Sequence, residues 1–387
     1  MRTEGISALV PRLAIFYAAL FVLPGVQMPF FPLWLKAKDV DAGMIGVVLA
    51  APIVARLLAV PVLMREADRR DAVRAALIVC GFAAVAGYVL VGLSAGAVFI
   101  LLAYAITALA TTPQMPLAET YALKELAARK RAYGPVRLWG SFAFIGGNFI
   151  AGFAADVIPA RDLIWLIVAA SVLIALAAVA LPPMTPRAVE ASAPDSARGS
   201  LLRDRPFVAV IAAASLIQAS HAEYYGFSAV QWSAAGFDST VIAALWALGV
   251  AAEIVLFALQ SRLPPFFGPT GLLLAGACGA VLRWMGMALD PPAFMLSALQ
   301  LLHAFSFGAT HLGALMFLVR HTPSTHAATA QGHLAVVSGL TMAGAMTLSG
   351  VLYRDFGSTA YSAMALMAFA GGACGLVAHR LRRDAAR

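Results

Sequence analysis

Tyr133-Gly134-Pro135-Val136-Arg137-Leu138-Trp139-Gly140-Ser141-Phe142-Ala143-Phe144-Ile145-Gly146-Gly147-Asn148 begins as a basic turn and runs into an apolar helix that carries Arg137 in with it. Glu119 stands eighteen residues upstream, in the preceding apolar run. The midpoint, position 128, falls within the charged segment Lys124, Glu125, Arg129, Lys130, Arg131. A helical hairpin bent there puts each charge nine residues from the bend, which is roughly 13 Å. That is close to half of a hydrocarbon layer about 30 Å thick. Carboxylate and guanidinium then share a depth on neighbouring helices. A charge at that depth is costly unless it is paired or faces a cavity, so it marks a candidate functional group. The plainer reading is an ion pair that locks the two helices.

Composition agrees with a membrane setting. The chain has 387 residues, 61% hydrophobic and 12% charged, and carries a net charge of +8; its mean hydropathy is +0.85. A soluble domain has about 25% charged residues. Cys80, Cys278 and Cys374 each sit alone in an apolar run, with neither metal nor CxxC spacing, and read as packing residues. The first apolar run is longer than a signal-peptide core and lacks a cleavage site, so it is expected to be retained.

Apolar runs long enough to span fall at 13–35, 44–64, 75–93, 95–122, 136–158 and 161–181, and again at 206–233, 239–262, 269–289, 292–320, 327–352 and 358–379. They are continuous rather than alternating, which indicates helices and not barrel strands. The expected fold is all-α: twelve transmembrane helices in two six-helix bundles, 1–182 and 206–387, joined by a Pro-, Ser- and Arg-rich linker at 183–205. Alternate connections, together with the termini, hold twenty of the 27 Lys and Arg residues, and the opposite loops hold four. By the positive-inside rule, both termini and the linker are expected in the cytoplasm. The basic charge is thus an orientation signal spread over loops, and no nucleic-acid partner is expected. The halves also echo one another: Arg56 precedes Arg65 by nine residues, as Glu253 precedes Arg262. Such weak internal symmetry suits a two-bundle transporter.

Within the second half, Glu253, Arg283 and His303 all fall in the central third of their helices. A carboxylate whose arginine partner can come and go is a candidate proton carrier, because burial and a nearby cation act on it in opposite directions. The plainer readings are a permanent Glu253–Arg283 pair and a hydrogen-bonded core histidine. His221, Tyr225, Ser228 and Trp232 recur at helical spacing and share one face. That face suits a flat apolar substrate with a polar group, although Trp232 also fits an interfacial aromatic belt. Asn148 lies three turns after Arg137 on the same face, whereas Gly140, Gly146, Gly147 and Gly152 suit close helix packing. No nucleotide-binding loop, metal-ligand spacing or Ser-His-Asp arrangement occurs, so neither cofactor, metal nor enzymatic chemistry is expected.

Four motifs taken together resemble a known family: Tyr133-Gly134-Pro135-Val136-Arg137-Leu138-Trp139-Gly140-Ser141, His221-Ala222-Glu223-Tyr224-Tyr225-Gly226-Phe227-Ser228, Leu245-Trp246-Ala247-Leu248-Gly249-Val250-Ala251-Ala252-Glu253 and Leu302-His303-Ala304-Phe305. The chain resembles the major facilitator superfamily, in its lactose permease and nucleoside–proton symporter group and nearest the phenylpropionate permeases. The resemblance implies a symporter of the bacterial inner membrane that imports a small aromatic or hydrophobic monocarboxylate with protons, by rocking of two bundles and as a monomer. It implies substrate binding by Glu119 and Arg137, and proton coupling by Glu253, Arg283 and His303. Phe144 matches the position of a sugar-stacking tryptophan. His221, Tyr225, Asn148 and Arg283 complete the expected substrate set. There are departures: Ser306 replaces a Glu expected three residues after His303, and the loop between the second and third helices keeps only the degenerate Arg65-Glu66-Ala67-Asp68-Arg69-Arg70. No lysine stands in the eleventh helix either. A galactoside is therefore not expected, nor is the whole proton relay. A sugar or nucleoside symporter or a drug exporter stays open, as does a sensor in which the buried charges are structural.

Overall fold

The computed structural model describes residues 2–184, 201–264, 267–323 and 326–385. Among them no strand occurs. The helices are α1 (Arg2–Ala37), α2 (Ala42–Arg69), α3 (Val73–Leu93), α4 (Ala97–Ala128), α5 (Gly134–Val157) and α6 (Ile164–Ala180). They continue with α7 (Arg205–Ala234), α8 (Ser239–Leu259), α9 (Pro269–Ala288), α10 (Ala293–His321), α11 (Ala327–Phe356) and α12 (Tyr361–Ala385). Eleven stretches are long and apolar enough to cross a membrane, and the last of them, Thr329–Arg382, holds both α11 and α12. Of the linker expected at 183–205, positions 185–200 lie outside the described residues.

The outward surface is apolar where a soluble protein is charged. Leu58, Val62, Phe99, Phe142, Phe294 and Phe369 are all exposed, as residues facing lipid would be. On α9, Leu282 is 63% exposed while its neighbour Arg283 is fully buried. The helix therefore turns its cation inward and its aliphatic side out.

The chain divides into two compact units: Met1–Glu190 with Trp232–Ala244, and Ala191–Gln231 with Leu245–Arg387. In the first, α1 packs along α5 and α6, α3 along α6, and α2 against α4. Glycine makes the α1–α5 seam close. A Cβ on Gly147 would stand 2.7 Å from the Val22 carbonyl oxygen, one on Gly140 would stand 2.7 Å from the Phe21 ring, and one on Gly25 would overlap the Phe144 carbonyl. Gly152 has the same role against Ala243 on α8. Gly146, expected to serve the same packing, faces open space with nothing within 4 Å of an added Cβ. Carbonyls at and just past the end of α6 find side-chain donors: Arg74 donates to Val179 at 2.8 Å and Leu181 at 2.7 Å, and the Tyr121 hydroxyl to Pro182 at 2.8 Å. These groups would otherwise be left open at a helix end. At the start of α8, Asp156 of α5 accepts from the Ser239 and Thr240 amides at 2.7 and 3.1 Å and from the Thr240 hydroxyl at 2.6 Å. A carboxylate from another helix thereby caps the first turn.

In the second unit α7 packs on α11 and α12, and α9 on α10 and α12. Its core gathers Phe207, Ile211, Leu273, Phe317, Leu318 and Ala378.

Candidate functional site

In the second unit two helices depart from regular geometry at the same place. The α-helical stretch Arg205–Ala219 ends at a turn formed by Ser220 and His221, and a second stretch resumes at Ala222. The side chains explain the break. Ser220 Oγ donates to the Ile217 carbonyl at 2.6 Å, and His221 Nδ1 lies 3.0 Å from the Gln218 carbonyl. Both side chains thus occupy carbonyls that a continuing helix would need. In α10, residues Ala304–Ala309 form a π-helical turn directly after His303. Such wide turns cluster at functional sites. Gly276 and Gly279 on α9 leave room for it, since a Cβ on Gly279 would stand 2.6 Å from the Phe305 Cβ.

These two irregular turns meet at Arg283. Its Nη2 donates to Gln300 Oε1 at 2.6 Å, and its Nη1 to His303 Nδ1 at 2.8 Å and to Ser306 Oγ at 3.3 Å. The guanidinium lies over Tyr224 at 4.4 Å and Trp284 at 4.7 Å. Proton positions follow from these contacts. Arginine only donates, so His303 Nδ1 must be the acceptor and a neutral His303 carries its hydrogen on Nε2. That nitrogen faces Glu253 Oε2 at 3.6 Å. In the same way His221 donates from Nδ1 to a carbonyl, leaving Nε2 to accept from Ser306 Oγ at 3.0 Å. Gly249 lets His303 approach α8, and Gly308 does the same for Glu253.

The structure thus brings Glu253, His303, Arg283 and His221 together. It corrects one expectation: no carboxylate among the described residues lies within 4.0 Å of Arg283, and Glu253 meets the imidazole instead. Ser306, at the position expected to hold a Glu, joins the two histidines' networks. Aromatic rings wall the cluster. Tyr225 stacks on His221 at 5.6 Å, Tyr224 on Trp246 at 4.6 Å and Phe307 on His303 at 5.2 Å. Trp232 is buried rather than part of an exposed belt. Arg283 Nε, Gln300 Nε2 and Trp246 Nε1 are buried donors without an acceptor. Buried donors are nearly always satisfied, so three in one neighbourhood ask for an explanation. Gln300 and Trp246 were not singled out as site residues from sequence. A glutamine in an apolar run is the signal that could have found the first.

In the first unit, Glu119 on α4 and Arg137 on α5 lie within electrostatic reach of each other, and Arg56 lies within reach of Glu119. No hydrogen bond or ion pair closes between Glu119 and Arg137 among the described residues, so the locked pair is not what holds α4 to α5. The Arg137 guanidinium instead lies over the Phe21 ring at 4.0 Å. Tyr17 and Tyr133 pack edge to face at 5.9 Å, and both are near enough to interact with Arg137. Phe144 is half-buried. Asn148 is fully buried; its Nδ2 reaches back to the Phe144 carbonyl at 3.5 Å and its Oδ1 has no partner. A further network escaped the sequence reading: Tyr88 donates to Gln27 Oε1 at 2.9 Å, and Gln27 Nε2 donates to the Tyr104 hydroxyl. Among the described residues no His, Cys, Asp or Glu group could hold a metal.

Comparison with known proteins agrees with this architecture. The chain is 29% identical to the probable 3-phenylpropionic acid transporter of Escherichia coli (strain K12) over 360 residues, covering 92% of this chain and 94% of that one. It is 26% identical to the maltose permease of Geobacillus stearothermophilus over 332 residues, covering 84% and 83%. Among solved structures it resembles the nucleoside transporter NupG, with a TM-score of 0.82 at 15% identity over 96% of this chain and 98% of that one. A bacterial homologue of the human lysosomal transporter Spinster gives a TM-score of 0.73 at 12% identity over 97% of each chain. The MFS_1 like family profile matches residues 10–364, and the chain belongs to that family of the major facilitator superfamily: it is a multi-pass membrane transporter and not an enzyme.

Proposed function

We propose that the protein is a proton-coupled symporter that imports a small aromatic or hydrophobic monocarboxylate, such as 3-phenylpropionate, across the bacterial inner membrane by alternating access. The observation that carries this reading is the fully buried guanidinium of Arg283 inside an aromatic surround. Its hydrogen-bond partners are neutral, and its Nε and the neighbouring Gln300 Nε2 lack acceptors. A carboxylate offers two acceptor oxygens and the missing negative charge, and a phenyl ring suits Tyr224, Tyr225 and Trp246. In this reading His221 joins that set in the second unit, and Phe144 and Asn148 are substrate-contacting residues of the first. Arg137, free of a closed ion pair, is the first unit's own group for the same chemistry, with Glu119 as its regulator.

Coupling runs through His303. With Glu253 ionised, the imidazole is attracted to it; with Glu253 protonated, that attraction goes and His303 is left to Arg283 and the substrate. Differential affinity of this kind is what coupling requires. The name of the Escherichia coli relative supports the substrate class. The test is counterflow of labelled 3-phenylpropionate in proteoliposomes, followed by uptake with and without an imposed pH gradient. Exchange and gradient-driven accumulation are expected. Counterflow of maltose or a nucleoside in its place would overturn the substrate class, and uptake indifferent to the gradient would overturn the coupling.

A further inference from the structure

Glu223 is the acid that the proposed mechanism leaves unused. It lies on α7 two residues beyond His221, which turns it by about 200° to the opposite side of the helix. Its side chain is fully buried, and neither carboxylate oxygen has a hydrogen-bond partner. Ser349 of α11 lies beside it, and Tyr353 of α11 and Tyr361 of α12 are within reach of its charge. The buried Tyr361 hydroxyl is also unpartnered. No cation stands within 4.0 Å among the described residues. On α9, Arg283 directs its N–H groups to Gln300, His303 and Ser306 and stacks on Tyr224 and Trp284. Arg354 on α11 is exposed and pairs with Asp355. On α7 itself the neighbouring polar rings are Tyr224, Tyr225 and His221, the last engaged with Ser306.

An ionised carboxylate in such a place, with no cation and only the Ser349 hydroxyl beside it, is strongly disfavoured, and a buried acid answers by keeping its proton. As a neutral acid it has a hydroxyl to offer Ser349 or Tyr361, and its own carbonyl can accept. We infer that Glu223 binds a proton in this conformation and releases it during the transport cycle, a second proton site apart from Glu253 and set on another side of α7. This rests on the symport reading for its role in transport, but the protonation itself does not. The two protons also differ in consequence. A monocarboxylate anion with one proton carries no net charge, whereas with two it carries +1. Electrical drive would then contribute about fiftyfold in accumulation per 100 mV.

The experiment has two arms. In the first, infrared spectra of the purified protein are compared for wild type, Glu223→Gln and Glu253→Gln. A protonated-carboxyl carbonyl band sensitive to deuterium exchange is expected, lost in Glu223→Gln and kept in Glu253→Gln. Glu223→Asp, which retains the acid, should shift the band rather than remove it, so loss through misfolding is told apart. A band untouched by Glu223→Gln overturns the proposal without reference to any substrate. In the second arm, proteoliposomes accumulate labelled 3-phenylpropionate under a potassium diffusion potential. Wild type should respond to the potential, and Glu223→Gln should lose that response while still responding to a pH gradient. A wild type indifferent to potential, or a variant that keeps its response, makes the proton a resident one and overturns its release. If no 3-phenylpropionate moves in any chain, the substrate reading has failed and the infrared arm still judges Glu223.

Discussion

Arg137 and Arg283 are both cations carried on apolar helices, yet they are held differently. Arg283 is enclosed, with three hydrogen-bond acceptors and two aromatic faces. Arg137 is half-buried, rests on Phe21 and closes no ion pair. Removing Arg137 therefore strands no buried carboxylate in direct contact with it. Arg137→Gln is expected to fold and express near the wild-type level while losing uptake. Loss of a charge-assisted contact to a carboxylate is worth about 1.5–3 kcal/mol, or roughly ten- to a hundredfold in affinity. Arg137→Lys should recover little, since an ammonium cannot give the bidentate fork. Uptake assays beside a thermal-unfolding measurement on the same preparations decide it. Normal transport by the Glu119→Gln, Arg137→Gln double variant would show the two charges to be irrelevant. At this scale the sequence was readable because charges are so rare in these helices that Glu253, Arg283 and His303 stand out. The pairing was not readable. Depth alone cannot say that an imidazole sits between the acid and the cation. Glu223 was quoted within a motif but given no role, because the face taken for the site runs through His221 and Tyr225, on another side of α7.

Long continuous hydropathy made the helices themselves legible, and their bounds mostly follow the apolar runs, although α2, α4 and α12 run five or six residues past the expected ends at 64, 122 and 379. The first apolar run begins at 13, but α1 begins at Arg2, since helical hydrogen bonding continues past the point where apolar character starts. The broken turn of α7 and the π-helical turn of α10 were not read. Both come from local competition for carbonyls and from neighbouring glycines, which an average over a span conceals. Glycine also separates two kinds of position on one helix. At Gly147 an added Cβ meets the α1 backbone, whereas at Gly146 it meets nothing. Gly147→Val is expected to force α5 from α1 and cost about 1–3 kcal/mol, the range for overpacking. Gly146→Ala should be neutral or slightly stabilising, as glycine is the poorer helix former by about 1 kcal/mol. Thermal unfolding of the two variants in detergent gives the comparison, and equal loss in both would refute the close-packing account. Asp156→Ala should cost about 1 kcal/mol by uncapping α8, and the same assay reads it.

At the scale of the whole molecule the questions are orientation and energy source. By the charge count the termini are expected on the cytoplasmic side, together with twenty of the 27 basic residues. A phosphatase fused after α12 should be inactive and one fused between α11 and α12 active; the reverse pattern would invert the transporter. Energy is the finer question. A proton gradient of one unit is worth about 1.4 kcal/mol per proton, a tenfold concentration ratio at most. Only a group whose protonation changes substrate affinity can convert that into accumulation. In the mechanism proposed above Glu253 is that group and acts through His303, at 3.6 Å from one ring nitrogen while Arg283 holds the other at 2.8 Å. Glu253→Gln fixes the protonated form. The variant should still bind 3-phenylpropionate and exchange it across the membrane, yet bring the internal concentration only to the external one when a pH gradient is imposed. The pair of measurements matters, because a misfolded variant loses both. If Glu253→Gln accumulates substrate uphill on the pH gradient alone, the coupled proton is carried elsewhere, and Glu223, the buried acid on α7, becomes the next residue to replace.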